Sequence, residues 1–573
     1  MLKSLNRQLL STKIMSQNPK CLYQIKENLK EIYYAALESV KPNKIIDNKI
    51  KINNNNLLID NETIAITDKV YIVGFGKAVM SMAIALEKLL GNRLIKGIVS
   101  IPRGSKNTEE SEIQPKLTSL INYEENSINN EPDNDTLSVT RNIIQMVKSL
   151  TENDTLIVLV SGGGSALLSM PKPPVILEEK LNICRKLFNS GADIKEVNLI
   201  RQKLSMVKAG GLAFMAYPAF VIGLILSDII DNPIELIASG PTVYNLIPLG
   251  NIEKILIKYN LLNQLSINLK HVLLSKESYE LNLDQYNQNY NNHVKNIIIG
   301  NNSLAIENAK LECLRKGFNS IILFNNIQGL VTSISKTYTN LCSLICKTLI
   351  KSISFEEFNE LMYNDPDLLL LKNKANEIYQ AVKVMGDKEL ILIAGGEPSV
   401  LITGSGKGGR NQELALRFSQ DWFKTITNSP ELNSFDVIFL SASTDGQDGP
   451  TDATGAFGYA EINATLIKLQ ELVNNKLKNE IEDEKTKDLI IEELKNIDIY
   501  NVLQNNDSYN FYSRFQKGSN LLKTGLTGTN VMDLHFIYIK RKFLNDSIDD
   551  KFVVSLNEHD FFLNSLQLLK QKL

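Results

Sequence analysis

The chain has 573 residues with 62 basic and 64 acidic side chains, a formal charge of −2, so it projects no global field for nucleic acid or an anionic membrane, and any anion must be held by a local site. That length exceeds what one hydrophobic core organises, which makes two domains the expectation. Five scattered cysteines (Cys21, Cys184, Cys313, Cys342, Cys346) suit a reducing compartment and not a disulfide framework, and no apolar run reaches the roughly 20 residues that span a bilayer.

Residues 1–26 contain Lys3, Arg7, Lys13, Lys20 and Lys26 and no Asp or Glu. This resembles an organelle-import presequence, which would make the protein mitochondrial; a solvated basic tail or the first turns of a helix in a cytoplasmic protein is the alternative. A helix-like stretch, "LKEIYYAALESVKP", then leads into "KVYIVGFGKAVMSMAIALEKLL", which reads as strand, glycine turn and helix. The same pattern returns in "TLIVLVSGGGSALLSM", "FVIGLILSDII", "VKNIIIGNNSLAIENAKLECLRKG", "ELILIAGGEP" and "FDVIFLSASTDGQDGP". Strands apolar at every residue are buried on both faces, and their alternation with helices predicts parallel sheets flanked by helices. Each ends in Gly, Ser, Asp or Asn, where open α/β sheets carry ligands. An Asn-, Gln- and Tyr-rich stretch at 264–296 marks the expected boundary between a domain over 27–285 and another over 290–545, and 463–498 reads as an elaborated surface helix. Cys342 and Cys346, at i,i+4 in an apolar helical pattern, read as packed thiols.

In "VGFGKAVM", Gly74 and Gly76 begin a dinucleotide fingerprint, but Val79 holds the place of the third glycine. Lys77 there can point at an anion held by the first turn of the following helix, or sit solvated beside a packing turn. Ser161, Gly162, Gly163, Gly164 and Ser165 leave a buried strand and enter a helix, a turn that offers amides and hydroxyls to an anion. Arg201, Lys203 and Lys208 precede Gly210 and Gly211; they can line an acidic-substrate pocket, although a solvated helix face is the more frequent outcome. Asp228 ends a strand and can orient a hydroxyl or bind a metal, whereas Asp231 before "NPIELIA" reads as a helix cap. "GGEPSVLITGSGKGGRNQEL", residues 395 to 414, sets Glu397, Lys407, Arg410 and Asn411 among six glycines. It fails the P-loop template, yet its glycine nest with Lys407 and Arg410 reads as a phosphoryl clamp. Asp445, Asp448 and Asp452 in "STDGQDGPTDATGA" lack calcium-loop spacing; Mg²⁺ fits better, and a run of Asx turns is the plain alternative.

Taken in order, "GFGKAVMSMA", "SGGGSALLS", "LSDIIDNPIELIASGPTV", "GGEPSVLITGSGKGGRNQELAL", "SASTDGQDGPTDATGA" and "LLKTGLTGTNVMDLH" resemble the glycerate 2-kinase family, whose C-terminal part is the MOFRL domain. The resemblance implies two three-layer α/β/α domains, the N-terminal one Rossmann-like, with the site in the cleft between them. It implies transfer of the ATP γ-phosphate to the 2-hydroxyl of D-glycerate with Mg²⁺. The family's lysine falls on Lys77 and its G-K-G-G-R-N-Q-E signature on Lys407 to Glu413. The expected roles are Lys77 and Arg410 on the transferring phosphoryl group, Ser161 to Ser165 around anionic oxygens, and Lys203 on the glycerate carboxylate. Asp228 would orient the attacking hydroxyl, and Asp445 and Asp448 would hold the metal. The partners implied are these small molecules and neither nucleic acid nor membrane; a homodimer is compatible. Two rival readings are a nicotinamide-dependent hydroxypyruvate or tartronate semialdehyde reductase, which Val79 opposes, and a non-catalytic anion-binding relative.

Overall fold

The computed structural model describes residues 19–107, 114–127, 131–245, 249–275, 292–386, 388–479 and 498–542. Residues 1–18 of the presequence-like extension, most of the Asn-rich stretch (276–291) and 480–497 of the expected surface helix lie outside the described residues. The chain forms two compact units, one of Ser39–Asn301 with Gly528–Val531, the other of the remaining segments on either side. Each is α/β.

In the Ser39–Asn301 unit a small antiparallel sheet comes first: β1 (Ile50–Asn53), β2 (Asn56–Ile59) and β3 (Glu62–Ala65). The main sheet contains β4 (Lys69–Phe75), β5 (Leu94–Pro102), β6 (Ile121–Asn126), β7 (Asp154–Val160), β8 (Phe220–Leu226) and β9 (Val294–Gly300). Its order is β6-β5-β4-β7-β8-β9, with every pair parallel, as the alternation of apolar strands and helices predicts. β7 is buried at all of its residues because helices cover both faces. Val73, Phe75, Val158 and Val160 pack with Val139, Ile143 and Val147 of the helix Asn134–Lys148, and the helix Val79–Leu90 covers the other face. The chain runs outward from β4 to β6 and returns to β7 beside β4, so the topological reversal lies between β4 and β7.

The second unit holds β10 (Asn319–Ile327), β11 (Leu390–Gly396), β12 (Phe435–Ser443), β13 (Gly455–Gly458), β14 (Leu521–Leu522) and β15 (Asp533–Arg541), in the order β10-β11-β15-β12-β13-β14. Here the expectation of a parallel sheet needs correction. Only β10 and β11 pair in parallel; β15 enters antiparallel between β11 and β12, and β13 and β14 continue antiparallel. Its segment, "DLHFIYIKR", was missing from the predicted strands, since no helix precedes it to announce a crossover. Gly395 faces Asn302 and Ile306 of the helix Asn302–Arg315, while Phe439, on the opposite face, meets Phe418 of the helix Arg410–Asn428. Both sides of this sheet are therefore covered too.

The helix Pro19–Ser39 belongs up to residue 38 with the second unit, not with the N-terminal domain to which the sequence assigns residues from 27. Tyr33 donates its hydroxyl to the Ser443 carbonyl at 2.7 Å. Lys26 is not part of a solvated extension. It is 8% exposed, donates to Asn520 and Tyr459, and is lowered to about 7 by burial and then by Lys30. Cys342 and Cys346 are buried in the helix Val331–Lys351 as packed thiols.

Candidate functional site

The first constellation stands at the reversal between β4 and β7, beyond the carboxyl ends of both strands, the position at which open α/β sheets hold ligands. After β7 the chain turns through Ser161–Gly164 into a short helix, and after β4 it turns through Gly76–Ala78 into the helix Val79–Leu90. The two turns are laced together. Lys77 donates its amide to the Gly162 carbonyl at 2.9 Å, and Ala78 donates its amide to Ser161 Oγ at 3.0 Å. Ser161 is thus buried and used as a structural acceptor. A Cβ at Gly163, where φ is +79°, would meet the Lys77 stem at 3.3 Å, so the lysine lies along this loop. A Cβ at Gly162 would overlap the Asp228 carboxylate, which places Asp228 on the same loop. Among the described residues, nothing accepts a hydrogen bond from the Gly162 or Gly163 amides. Two open amides, an exposed ammonium and a carboxylate therefore surround one point.

Ser165, the last residue of that loop, shares a 2.8 Å hydrogen bond with Ser239 Oγ. Its cationic neighbour is Lys208, whose Nζ donates to Ser165 O and Oγ, both at 3.1 Å. Lys203, expected to meet a substrate carboxylate, is half-buried at the end of the helix Ile194–Lys203; the adjacent Gln202 donates to the Ser239 carbonyl at 3.2 Å. The run Arg201–Lys208 is not a solvated face, because Lys208 is 3% exposed. Asp231 caps no α-helix. Asp231 and Asn232 have left-handed backbone (φ 60° and 52°), whereas a capping residue is extended, and only a short 3₁₀ turn at Ile237–Ser239 follows.

The glycine-rich stretch at 395–414 in the second unit is built differently from the nest its sequence suggests. The amides of residues 403–407 are already spoken for. Thr403 and Gly404 donate to Asn506 Oδ1 at 2.7 and 3.0 Å, Ser405 to Asn505 Oδ1 at 3.1 Å, and Lys407 to Asp507 Oδ1 at 2.8 Å. Gly406 donates to the Asn505 carbonyl at 2.8 Å. Side chains at Gly404, Gly406 and Gly408 would overlap Asn505, Asp507 and Ser508. These three glycines admit another part of the chain. Lys407 is exposed and lies over the Tyr509 ring, 4.6 Å from its centroid.

Beyond the stretch, the helix Arg410–Asn428 begins at the sheet edge. β11 and β12 end at this edge and β15, being antiparallel, begins there, with Asp533 opposite both Gly396 and Ser443. Arg410 clasps Asp533 through Nε and Nη2 at 2.5 and 2.9 Å and reaches Glu397 with Nη1 at 3.0 Å. Burial works against its charge, but Asp533 and then Glu397 more than reverse this and raise it. Asn411 is fully buried; its Oδ1 accepts from Ser441 Oγ at 2.6 Å, so it supports the site from within and does not reach a ligand.

Asp448 also departs from its expected metal role. Its Oδ1 accepts the Asn411 amide at 3.0 Å and its Oδ2 the Gln412 amide at 2.8 Å, which makes it the buried cap of this helix. Desolvation raises it to about 6 against those hydrogen bonds. Asp445 is half-buried. Its Oδ1 accepts Ser443 Oγ at 2.6 Å and the Gln447 amide at 2.9 Å, an Asx turn, while its Oδ2 has no hydrogen bond among the described residues. Among those residues no three or more His, Cys, Asp or Glu side chains form a ready cage for a metal. Mg²⁺ takes one or two carboxylates and fills its other positions with phosphate oxygens and water. Asp445 fits that demand and Asp448 does not.

A family model described as a domain of unknown function (DUF4147) matches residues 28–274, and the MOFRL family model matches 390–490. A Bos taurus protein named glycerate kinase is 38% identical over 522 residues, covering 90% of this chain and 93% of that protein. The chain belongs to the glycerate kinase family. Another relative, named D-glycerate 2-kinase, from Thermotoga maritima, is 31% identical over 82% of this chain and 90% of its own. The crystal structure of a Thermotoga maritima glycerate kinase superposes with a TM-score of 0.64 at 29% identity, covering 91% of this chain and 100% of that one.

For this member of the glycerate kinase family, sequence reasoning missed Asp533 and offered Lys208 only as one of three cations that can line an acidic-substrate pocket. A lone "MD" after a glycine-rich turn carries no local signal, and it joins the site only because β15 runs antiparallel. Had "HFIYIK" been read as a strand, its leading carboxylate at a strand terminus would have been the available clue.

Proposed function

We propose that the protein is an ATP-dependent glycerate kinase that transfers the γ-phosphate of ATP to the 2-hydroxyl of D-glycerate. The observation that carries this reading is the pair of open amides at Gly162 and Gly163 beside Lys77 and Asp228. The relatives named glycerate kinase supply the substrate. The order β6-β5-β4-β7-β8-β9 supports a Rossmann-like reading of the N-terminal unit. Transfer to a hydroxyl requires positioning, positive charge around the moving phosphoryl group and a destination for the hydroxyl proton. Lys77 and the two amides hold an anionic group of the bound reactants. Asp228, on the Gly162 side, accepts the hydrogen bond of the attacking hydroxyl. That oxygen forms the new bond to phosphorus as the bond to the ADP oxygen breaks, and its proton leaves through the carboxylate to water. In the second unit, Arg410 is held by Asp533 and Glu397 so that its planar fork keeps one orientation. Asp445 would hold Mg²⁺ through Oδ2, and the ion when bound neutralises charge on the phosphate oxygens.

The test incubates purified protein with Mg²⁺, ATP and D-glycerate and follows the product by phosphorus NMR. Phosphate on the 2-hydroxyl is the expected outcome. Phosphate on the 3-hydroxyl corrects the regiochemistry, and unchanged reactants with a folded protein overturn the reading.

A further inference from the structure

Among the described residues, Lys208 has no carboxylate to answer it. It is 3% exposed, and its three N–H bonds go to Ser165 O and Oγ at 3.1 Å each and to Ala238 O at 3.2 Å. Three donors meet three acceptors, none of them charged. The charged neighbours that act on it are Lys180 and Arg201, and with burial as the leading cause they hold it well below the ordinary lysine range. A group so costly to bury is retained for what it fixes.

What it fixes is a contorted turn. Ala238, Ser239 and Gly240 are successive left-handed residues, with φ of 51°, 64° and 64°. For the two non-glycine residues that conformation is sterically disfavoured, so it persists only where its surroundings over-determine it. They do. Besides Lys208 on Ala238, Gln202 Nε2 and the Ala209 amide donate to the Ser239 carbonyl at 3.2 and 3.1 Å. Gly210 donates to the Gly240 carbonyl at 2.7 Å. The product of this bracing is the Ser239 hydroxyl held 2.8 Å from that of Ser165, at the end of the loop that carries the open Gly162 and Gly163 amides.

We propose that Lys208 is a positioning residue that ties the Ser161–Ser165 loop to the Ala238–Gly240 turn and so shapes the anion-binding face of the loop, for a carboxylate or phosphate group. This rests on the proposed kinase reading for its substrate but not for its binding chemistry. In Lys208→Met the stem remains and the three hydrogen bonds are lost. The expected result is a KM for the reactant held by this loop raised at least about tenfold, with kcat changed by much less. Ser165→Ala should act in the same direction, and the double variant should be no worse than Lys208→Met alone, because both remove one coupled unit. The same four proteins are titrated with inorganic phosphate by calorimetry, and the same ordering is expected. If the wild type binds phosphate but does not phosphorylate glycerate, the kinase reading fails while the positioning role is still decided by calorimetry. Unchanged KM and phosphate affinity in a folded Lys208→Met, or fully additive losses in the double variant, overturn the proposal. If Lys208→Met does not fold, Ser165→Ala with wild-type KM and phosphate affinity overturns it.

Discussion

Arg410 and Asp533 meet as two parallel hydrogen bonds, Nε to Oδ2 at 2.5 Å and Nη2 to Oδ1 at 2.9 Å, and the carboxylate is fully buried. Removing one partner of such a pair strands a buried charge, at a cost of about 3–5 kcal/mol. Arg410→Ala, which strands the fully buried Asp533 carboxylate, should lose stability on that scale in urea titration and turnover by about tenfold or more. Arg410→Lys should not restore turnover, since a point charge cannot reproduce the fork. Wild-type turnover in Arg410→Lys would show that only the charge matters.

The Gly162–Gly163 loop permits two substitutions with separable effects. Gly163→Ala forces a methyl onto left-handed backbone beside Lys77, a strain of roughly 1–2 kcal/mol, and should mainly raise KM. Gly162→Ala drives the methyl into the Asp228 carboxylate and should mainly lower kcat, by about tenfold or more. Steady-state kinetics on both proteins decide this, and equal effects on KM and kcat in each would refute the division of labour.

Asn506 braces the other glycine stretch, accepting from Thr403 and Gly404 and donating to Leu401 O and Glu413 Oε2, both at 3.0 Å. Asn506→Ala leaves the buried Glu413 Oε2 and three less buried backbone groups without this partner and should cost roughly 1–3 kcal/mol. Lys407→Ala, which removes only an exposed cation on a ring, should reduce kcat/KM less than Lys77→Ala does. A larger loss for Lys407→Ala would restore the phosphoryl-clamp reading of this stretch.

His535 is fully buried beside Tyr338, and burial, with Arg410 second, lowers it to about 3. Its folded value lies below its unfolded one, so the unfolded chain takes up the proton first and stability falls as pH drops from about 6.5 toward 3. The part due to this residue amounts to about 2 kcal/mol between pH 7.5 and 5. It is measured as the difference in urea stability between wild type and His535→Gln at the two values. A pH-independent difference would mean that the imidazole takes up its proton over the same pH range in the folded and unfolded chains.

What the sequence discloses here follows from where the determining contacts lie. Lys77, Ser161–Ser165 and Asp228 are legible because each sits at the end of an apolar strand, and the turn chemistry is local. Arg410 is legible as a cation beside a glycine turn. Asp533 and Lys208 are not, since their partners stand 123 and 30–43 positions away. The stretch at 395–414 misleads for a physical reason: a backbone without Cβ atoms looks the same whether a phosphate or another strand of the same chain comes close. The amides of Asn505–Asp507's partners decide between them, and that pairing spans some hundred residues.

The helix Pro19–Ser39 leaves the ribosome well before partners that include Asn520 and a sheet whose central strand ends at Arg541. At 5–20 residues per second, roughly 500 residues of synthesis impose a wait on the order of a minute. During that time the Ser39–Asn301 unit can close over its own parallel sheet, apart from Gly528–Val531. The helix meanwhile carries Ile25, Leu29, Ile32 and Tyr33, all buried in the finished protein, and the Ser443 carbonyl that receives the Tyr33 hydroxyl is made 410 residues after it. Birth order and assembly order are thus inverted at this end of the chain, and a nascent-chain chaperone would find its client there.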